Sequence, residues 1–140
     1  MNNLPSSCKV VVIGGGVAGC STAYHLAKFG WKDTVLLERD VLTSGTTWHA
    51  AGLIGQLGSS ATITKLRNYS LNLYKQLETE TGLSTGLKQN GSLTVATTSD
   101  RLEELKRQVT FAQRFDIEAK EVNKDEIKEI YPLINIDDLV

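Results

Sequence analysis

The sequence predicts an α/β fold organised on a parallel β-sheet, and three observations carry that expectation. An apolar, β-branched run from Lys9 to Ile13, "KVVVI", shows no polar alternation, which is the pattern of a strand covered on both faces. A glycine-rich segment follows and runs straight into a helical pattern. A second apolar run, Thr34 to Glu38, "TVLLE", comes after that helix. Strand, helix and strand in this order make a βαβ unit with a right-handed crossover.

The spacing then predicts each element in turn. Val17 to Phe29 reads as a helix with Ala18, Ala23, Leu26 and Ala27 toward the sheet. Gly30 is placed to cap its C-terminus. Thr43 to Gly52, "TSGTTWHAAG", is a loop that opens a short helix. Thr62 to Glu80 is a long helix ended by Gly82; Ile63, Leu66, Tyr69 or Ser70, Leu73 and Leu77 recur at three- and four-residue spacing as one buried stripe.

Leu87 to Thr97 reads as two strands around the turn pair Asn90-Gly91. Ser99 is read as the N-cap of a helix reaching about Phe115, with Glu103 and Glu104 near its start and Leu102, Leu105, Val109 and Ala112 inward. Glu103 and Arg107 stand four apart on its solvated face. Ile117 to Val122 is a short strand. Asn123 caps a last helix that stops before Pro132.

Composition narrows the function classes. The chain has 140 residues, 41% hydrophobic and 22% charged, with a net charge of -1. That length suits about one domain. The charge makes no electrostatic case for nucleic acid or an anionic membrane. No apolar run approaches the roughly 20 residues that span a bilayer. The start, "MNNLPSSCKVVVIGGG", has no basic region before a hydrophobic segment and no Arg-rich leader. It reads as cytoplasmic, or as a mitochondrial matrix protein whose leader has been removed. Cys8 and Cys20 form no CxxC and have no metal spacing, so they read as reduced, structural thiols and no metal site is expected. His25, mid-helix in "AYHLAK", reads as structural or solvent-facing. Tyr69 and Tyr74 read as core or rim residues.

The chemistry sits in the glycine turn. Gly14, Gly16 and Gly19 spell G-x-G-x-x-G between a buried strand and a helix, and Glu38 ends the next strand 19 residues after Gly19. That context is the dinucleotide-binding fingerprint of a Rossmann-like fold. Gly14 allows the tight turn, Gly16 the approach of a pyrophosphate, and Gly19 the close packing of helix on strand. The amides at the helix start, Val17 and Ala18, offer N–H groups and partial positive charge to phosphates. Glu38 accepts from the ribose hydroxyls and disfavours a 2′-phosphate. The motif does not separate NAD from FAD. The Ser/Thr/Gly-rich segment after Glu38-Arg39 suits a longer, extended cofactor. Ser44, Thr46 and Thr47 either contact that cofactor or bond their own turns. Arg39 either flanks the adenosine or is a solvated charge.

"VVVIGGGVAGCSTAYHLAKFGWKDTVLLERDVLTSGTTWHAAGL" resembles the start of the dimethylglycine dehydrogenase and sarcosine dehydrogenase family, flavoproteins of the glycine oxidase and D-amino-acid oxidase type. The resemblance runs on through "LYKQLETETGLSTGLKQNGSLTVATT" and "YPLINIDDLV" and covers essentially the whole chain. It implies FAD as cofactor. Spacing alone leaves His49 as a residue that only packs beside the flavin. The resemblance makes it the point of covalent attachment, through the flavin 8α-methyl, with Ala51 and Gly52 among the small neighbours that let the ring approach. It also implies oxidative N-demethylation of sarcosine or dimethylglycine, by hydride transfer to the flavin. An electron-transfer flavoprotein or oxygen then takes the electrons, and the iminium product is either hydrolysed to formaldehyde or trapped by tetrahydrofolate in a C-terminal region. No catalytic base or carboxylate clamp is recognisable in this segment.

The expected organisation follows. Residues 9–60 are a dinucleotide-binding βαβ with its flavin loop. Residues 61–140 are a helix, hairpin and helix leading into an inserted substrate domain. Two strands cannot cover both faces of a sheet, and "YPLINIDDLV" ends on an apolar residue. The chain therefore reads as the N-terminal part of something larger, inactive by itself. Two other readings stay open: a non-catalytic regulatory subunit of the pyruvate dehydrogenase phosphatase type, and an amino-acid oxidase with non-covalent FAD.

Overall fold

The computed structural model describes residues 4–140; residues 1–3 of the N-terminal stretch read above lie outside them. Two compact units follow one another. The first ends at Leu53 and the second runs Ile54–Val140.

The first unit is the expected βαβ. Strand β1, Val10–Ile13, and strand β2, Thr34–Leu37, pair in parallel with Val10 opposite Thr34 and Ile13 opposite Leu37. Helix α1, Val17–Lys28, crosses between them and packs on both. Val12 is buried on the helix side, whereas Val11 and Ile13 face away and are exposed, Ile13 by 86%. The unbroken apolar run therefore has one covered face in this unit, because one helix covers one face and successive side chains alternate. The inward face of α1 is also turned from the expected one. Ala18 and Ala27 are exposed, while Gly19, Cys20, Ala23 and Leu26 are half-buried. The helix ends as predicted at Gly30, whose φ is 88°. The Gly30 amide donates to Ala27 (3.0 Å) and the Trp31 amide to Leu26 (2.9 Å), closing a Schellman motif.

The structural reading of His25 holds. Its Nδ1 lies 2.6 Å from the Ser21 carbonyl, so that nitrogen carries the proton, and its ring meets Tyr24 edge-on at 5.1 Å.

The second unit is helical. Helix α2 spans Ala61–Thr81 and ends at Gly82 in the left-handed conformation, φ 69°. Its buried face is centred on Thr64 and Leu71. Ile63, Leu66 and Tyr69 are on the exposed side, Leu66 by 59%, whereas Ser70, Leu73 and Leu77 of the expected stripe are half-buried. The reason is polar. Thr64 is fully buried; its hydroxyl donates to the Ser60 carbonyl (2.9 Å) and accepts from the Gly58 amide (3.1 Å). A stripe counted on apolar residues omits a threonine whose needs are met internally. Thr64→Val keeps the shape and strands the Gly58 amide. Chemical denaturation is expected to show a loss of about 1–3 kcal/mol.

The expected hairpin does not form. Residues 84–97 pair in no strand ladder. A two-residue type I′ turn needs positive φ at both central residues. Gly91 has it, at 77°, and Asn90 does not. The segment after α2 is held from the helix instead. The Glu78 carboxylate accepts from the Thr85 hydroxyl (2.8 Å), the Thr85 amide (2.7 Å) and the Ser84 hydroxyl (3.2 Å). Those bonds, the Thr85 hydroxyl first, hold its pKa below the ordinary carboxylate value.

Helix α3, Ser99–Gln113, starts one residue earlier than expected in its capping: Thr98, not Ser99, accepts from the Arg101 amide (3.3 Å). Ala112 is buried and Leu102, Leu105 and Val109 are half-buried on the face predicted. The expected Glu103–Arg107 pair is replaced by exposed i,i+3 pairs, Arg101–Glu104 at 2.6 Å and Glu103–Lys106 at 3.1 Å. Ile117–Val122 forms no strand, although Ile117 itself is buried. Helix α4, Lys124–Ile130, stands where the sequence placed it. Asn123 and Glu126 complete a reciprocal capping box at 3.0 and 2.8 Å. Leu71, Ala96, Ala112, Ile117, Ile127 and Leu139 are the buried apolar residues of this unit.

Candidate functional site

The site is built where β1 turns into α1. Gly14 continues the ladder by donating to the Leu37 carbonyl (2.8 Å), at a φ of 103° that favours glycine. Gly19 is the third residue of α1, in its first turn. A Cβ there would stand 1.8 Å from the Gly14 carbonyl oxygen and 3.5 Å from Val12 Cγ1. The helix thus rests on the strand at backbone level, as the G-x-G-x-x-G spacing requires.

Gly16 is the N-cap and offers no side-chain acceptor, and the first turn of α1 contains no acidic residue. The Val17 amide donates to the Thr47 hydroxyl (2.9 Å). The amides of Ala18 and Gly19 meet no protein acceptor among the described residues. A helix start left open in this way is a cradle for an anion. A Cβ at Gly16 would come to 3.1 Å from Thr47 Oγ1 and narrow it.

Gly15, the glycine between the two motif positions, also belongs to the site. It is buried, and a Cβ there would meet Leu42 Cδ2 at 2.5 Å and Glu38 Cβ at 2.9 Å. Its amide donates to Glu38 Oε2 (2.6 Å), and its carbonyl accepts from the Thr43 amide (2.9 Å). The motif treats this position as free. The run of three glycines was the available signal.

Glu38 stands just past β2. Its second oxygen accepts from the Arg39 (2.8 Å) and Asp40 (3.1 Å) amides. The Gly15 amide first, then those of Asp40 and Arg39, hold its pKa below the ordinary 4.5. A depressed folded pKa means the clamp is at full strength above 4.5 and is lost as pH falls through the depressed value. The Gly15 amide resonance is expected to follow that titration in NMR spectra, and to stop following it in Glu38→Gln.

The loop after β2 folds back over this turn. Thr43 takes a left-handed φ of 65°, and Thr46–His49 form a single 3₁₀ turn. Thr47 points its hydroxyl to α1. Ser44 bonds its own turn instead, donating to the Val41 carbonyl (2.7 Å). Thr46, His49, Ala51 and Gly52 are exposed, Gly52 with φ 72°, as are the Arg39 side chain and, by 78%, Trp48. The structure therefore joins Gly14, Gly15, Gly16, Val17, Gly19, Glu38 and Thr47 by direct contact, and presents His49 two residues beyond Thr47. A shallow concavity lined by Lys9, Phe29, Gly30, Trp31, Lys32 and Asp33 touches none of them.

Comparison with known proteins agrees with this geometry. The family described as DAO, FAD dependent oxidoreductase, matches residues 9–140. Sarcosine dehydrogenase, mitochondrial, from Homo sapiens is 49% identical over 137 residues, 97% of this chain and 15% of that protein. Dimethylglycine dehydrogenase, mitochondrial, from Rattus norvegicus is 43% identical, covering 94% of this chain and 15% of the relative. The pyruvate dehydrogenase phosphatase regulatory subunit, mitochondrial, from Mus musculus is also 43% identical, covering 98% and 16%. Glycine oxidase from Bacillus cereus ATCC 14579, a solved crystal structure, superposes with a TM-score of 0.73 at 25% identity, over 96% of this chain and 38% of that one. The chain thus spans about one sixth of the length of the curated relatives it matches. A parallel βαβ with a backbone-level helix contact, an open helix start and a family match across nearly its full length together make this chain a member of the FAD-dependent oxidoreductase family.

Proposed function

We propose that this chain forms the FAD-binding front of an enzyme that oxidatively demethylates an N-methylated amino acid, of the sarcosine or dimethylglycine kind. One observation carries the reading: the "TSGTTWH" loop is docked on the glycine turn, through Thr47 on the Val17 amide (2.9 Å) and Thr43 on the Gly15 carbonyl (2.9 Å). On the strength of that docking we read the phosphate cradle, the ribose carboxylate and the flavin-end histidine as parts of one site.

In this assignment Gly14, Gly16 and the Ala18 and Gly19 amides hold the pyrophosphate; the Val17 amide, expected among them, is taken by the Thr47 hydroxyl instead. Glu38 holds the adenosine ribose with its orientation already set by three backbone amides, and Arg39 flanks it. Thr46 completes the wall of the loop, while Ser44 is turned back on Val41. His49, Ala51 and Gly52 receive the flavin end. A neutral imidazole nitrogen is a nucleophile near neutral pH, which suits His49 to a covalent tether. FAD, when bound, supplies the two-electron acceptor for oxidation of the N-methyl carbon. The protein's part is to bind, orient and shield it. Residues 9–60 serve as the dinucleotide-binding segment, and residues 61–140 lead toward a substrate domain. Two dehydrogenase relatives whose names place them in mitochondria support a matrix location over a cytoplasmic one. An electron-transfer flavoprotein as acceptor and tetrahydrofolate as one-carbon trap belong to the same proposal.

The test is amine-dependent dye reduction by the whole FAD-loaded protein, with sarcosine and dimethylglycine as substrates. Reduction that saturates with one of them is the expected result. The 43% identity to the phosphatase regulatory subunit supports a second reading, a fold that binds without turnover. Tight FAD retention with no reduction by any N-methyl amino acid would favour it. Flavin that is retained on native gel filtration but released on acid precipitation would point to an oxidase with loosely held FAD.

A further inference from the structure

Thr47 carries more than a possible cofactor contact. It lies inside the single 3₁₀ turn, Thr46–His49, that bears the histidine. That turn is short of internal ties. The Trp48 amide donates to Gly45 (3.1 Å) and the Ala50 amide to Thr47 (3.2 Å). The turn's N-cap, Gly45, supplies no side-chain bond. Trp48 is exposed, so packing does not hold the turn either. Isolated turns of this kind have no stability of their own.

What holds it is the bond from the Val17 amide to Thr47 Oγ1, 2.9 Å, across 30 residues of sequence. The partner amide sits in the first turn of α1, which is itself locked to β1 by the Gly19–Gly14 contact. The other tie of the loop, Thr43 to Gly15, is four residues upstream, at a residue in the left-handed region. His49 follows Thr47 by two residues, inside the same 3₁₀ turn.

We infer that Thr47 is a positioning residue: its hydroxyl, accepting from the Val17 amide, sets where His49 is presented to the flavin end of the site. The inference rests on the functional reading above for the role of His49, and on geometry alone for the placement of the turn. Threonine suits the task. Its hydroxyl supplies an acceptor for the first amide of α1, and its β-branching restricts χ1. Valine keeps the branching and removes the acceptor. Serine keeps the acceptor.

The experiment compares wild type, Thr47→Val and Thr47→Ser in the whole protein, with Thr47→Ala replacing the valine variant should that one fail to fold. Two readouts are taken. The first is amide hydrogen exchange of Val17 and of residues 45–50 in the flavin-free protein. Loss of one hydrogen bond predicts exchange faster by about two- to tenfold in Thr47→Val, restored in Thr47→Ser. The second is the acid-stable share of bound flavin after loading with FAD. Expressed per flavin bound, it is insensitive to affinity. It is expected to fall on the order of tenfold in Thr47→Val and to recover in Thr47→Ser. Unchanged exchange in Thr47→Val, or an unchanged acid-stable share, overturns the assignment of Thr47. If wild type itself holds no acid-stable flavin, the tether at His49 is what fails, and the exchange arm alone decides whether Thr47 places the turn.

Discussion

Gly19→Ala is expected to separate α1 from β1 and to remove FAD binding. The methyl carbon would stand 1.8 Å from the Gly14 carbonyl oxygen, which is backbone and has no rotamer to give way. The helix must lift, and Val12 loses the cover that buries it. Overpacking of this kind costs about 3 kcal/mol or more at a rigid contact. The same shift moves the Ala18 and Gly19 amides off the cradle and pulls Val17 from Thr47. Denaturant unfolding and FAD titration should therefore fail together, with affinity down by about a hundredfold or more. Wild-type FAD affinity in Gly19→Ala would mean that the cofactor does not use this turn.

His49→Ala is expected to abolish acid-stable flavin while leaving the fold intact. His49 is exposed at the end of its 3₁₀ turn and is not part of the buried contact between helix and strand. Its removal should change stability by no more than about 0.5 kcal/mol. None of the hydrogen bonds at the glycine turn and Glu38 involves His49, so FAD is expected to bind without a tether. On acid precipitation the pellet of wild type should keep its flavin colour, and the pellet of His49→Ala should lose it to the supernatant. A coloured pellet from the alanine variant would place the link at another residue.

Local pattern was enough for much of this molecule. The strands, the crossover helix, the caps at Gly30, Gly82 and Asn123, and the glycine spacing are each set by residues within a few positions of one another. Capping and turn chemistry are short-range, so they can be read along the chain. The Asn90-Gly91 pair shows the limit of such reading. It is a strong turn signal, but a ladder needs two partners, and the Glu78 carboxylate ties the preceding segment to α2 instead.

Other features depended on contacts that sequence order does not display. The buried face of α2 is centred on a threonine because Gly58 and Ser60 satisfy its hydroxyl from the chain before the helix. Gly15 joined the site because Leu42 and Glu38 close over it from the far side of the crossover. Of the three candidate hydroxyls, Ser44, Thr46 and Thr47, only the tertiary fold showed which turns back on the loop and which reaches another element. Ser44 turned back on Val41, and Thr47 reached α1. Which residues could bind a dinucleotide followed from their types and spacing. Which of them face one another was decided by close approach of backbone segments 23 to 30 residues apart, where a single methyl group more would have kept them separate.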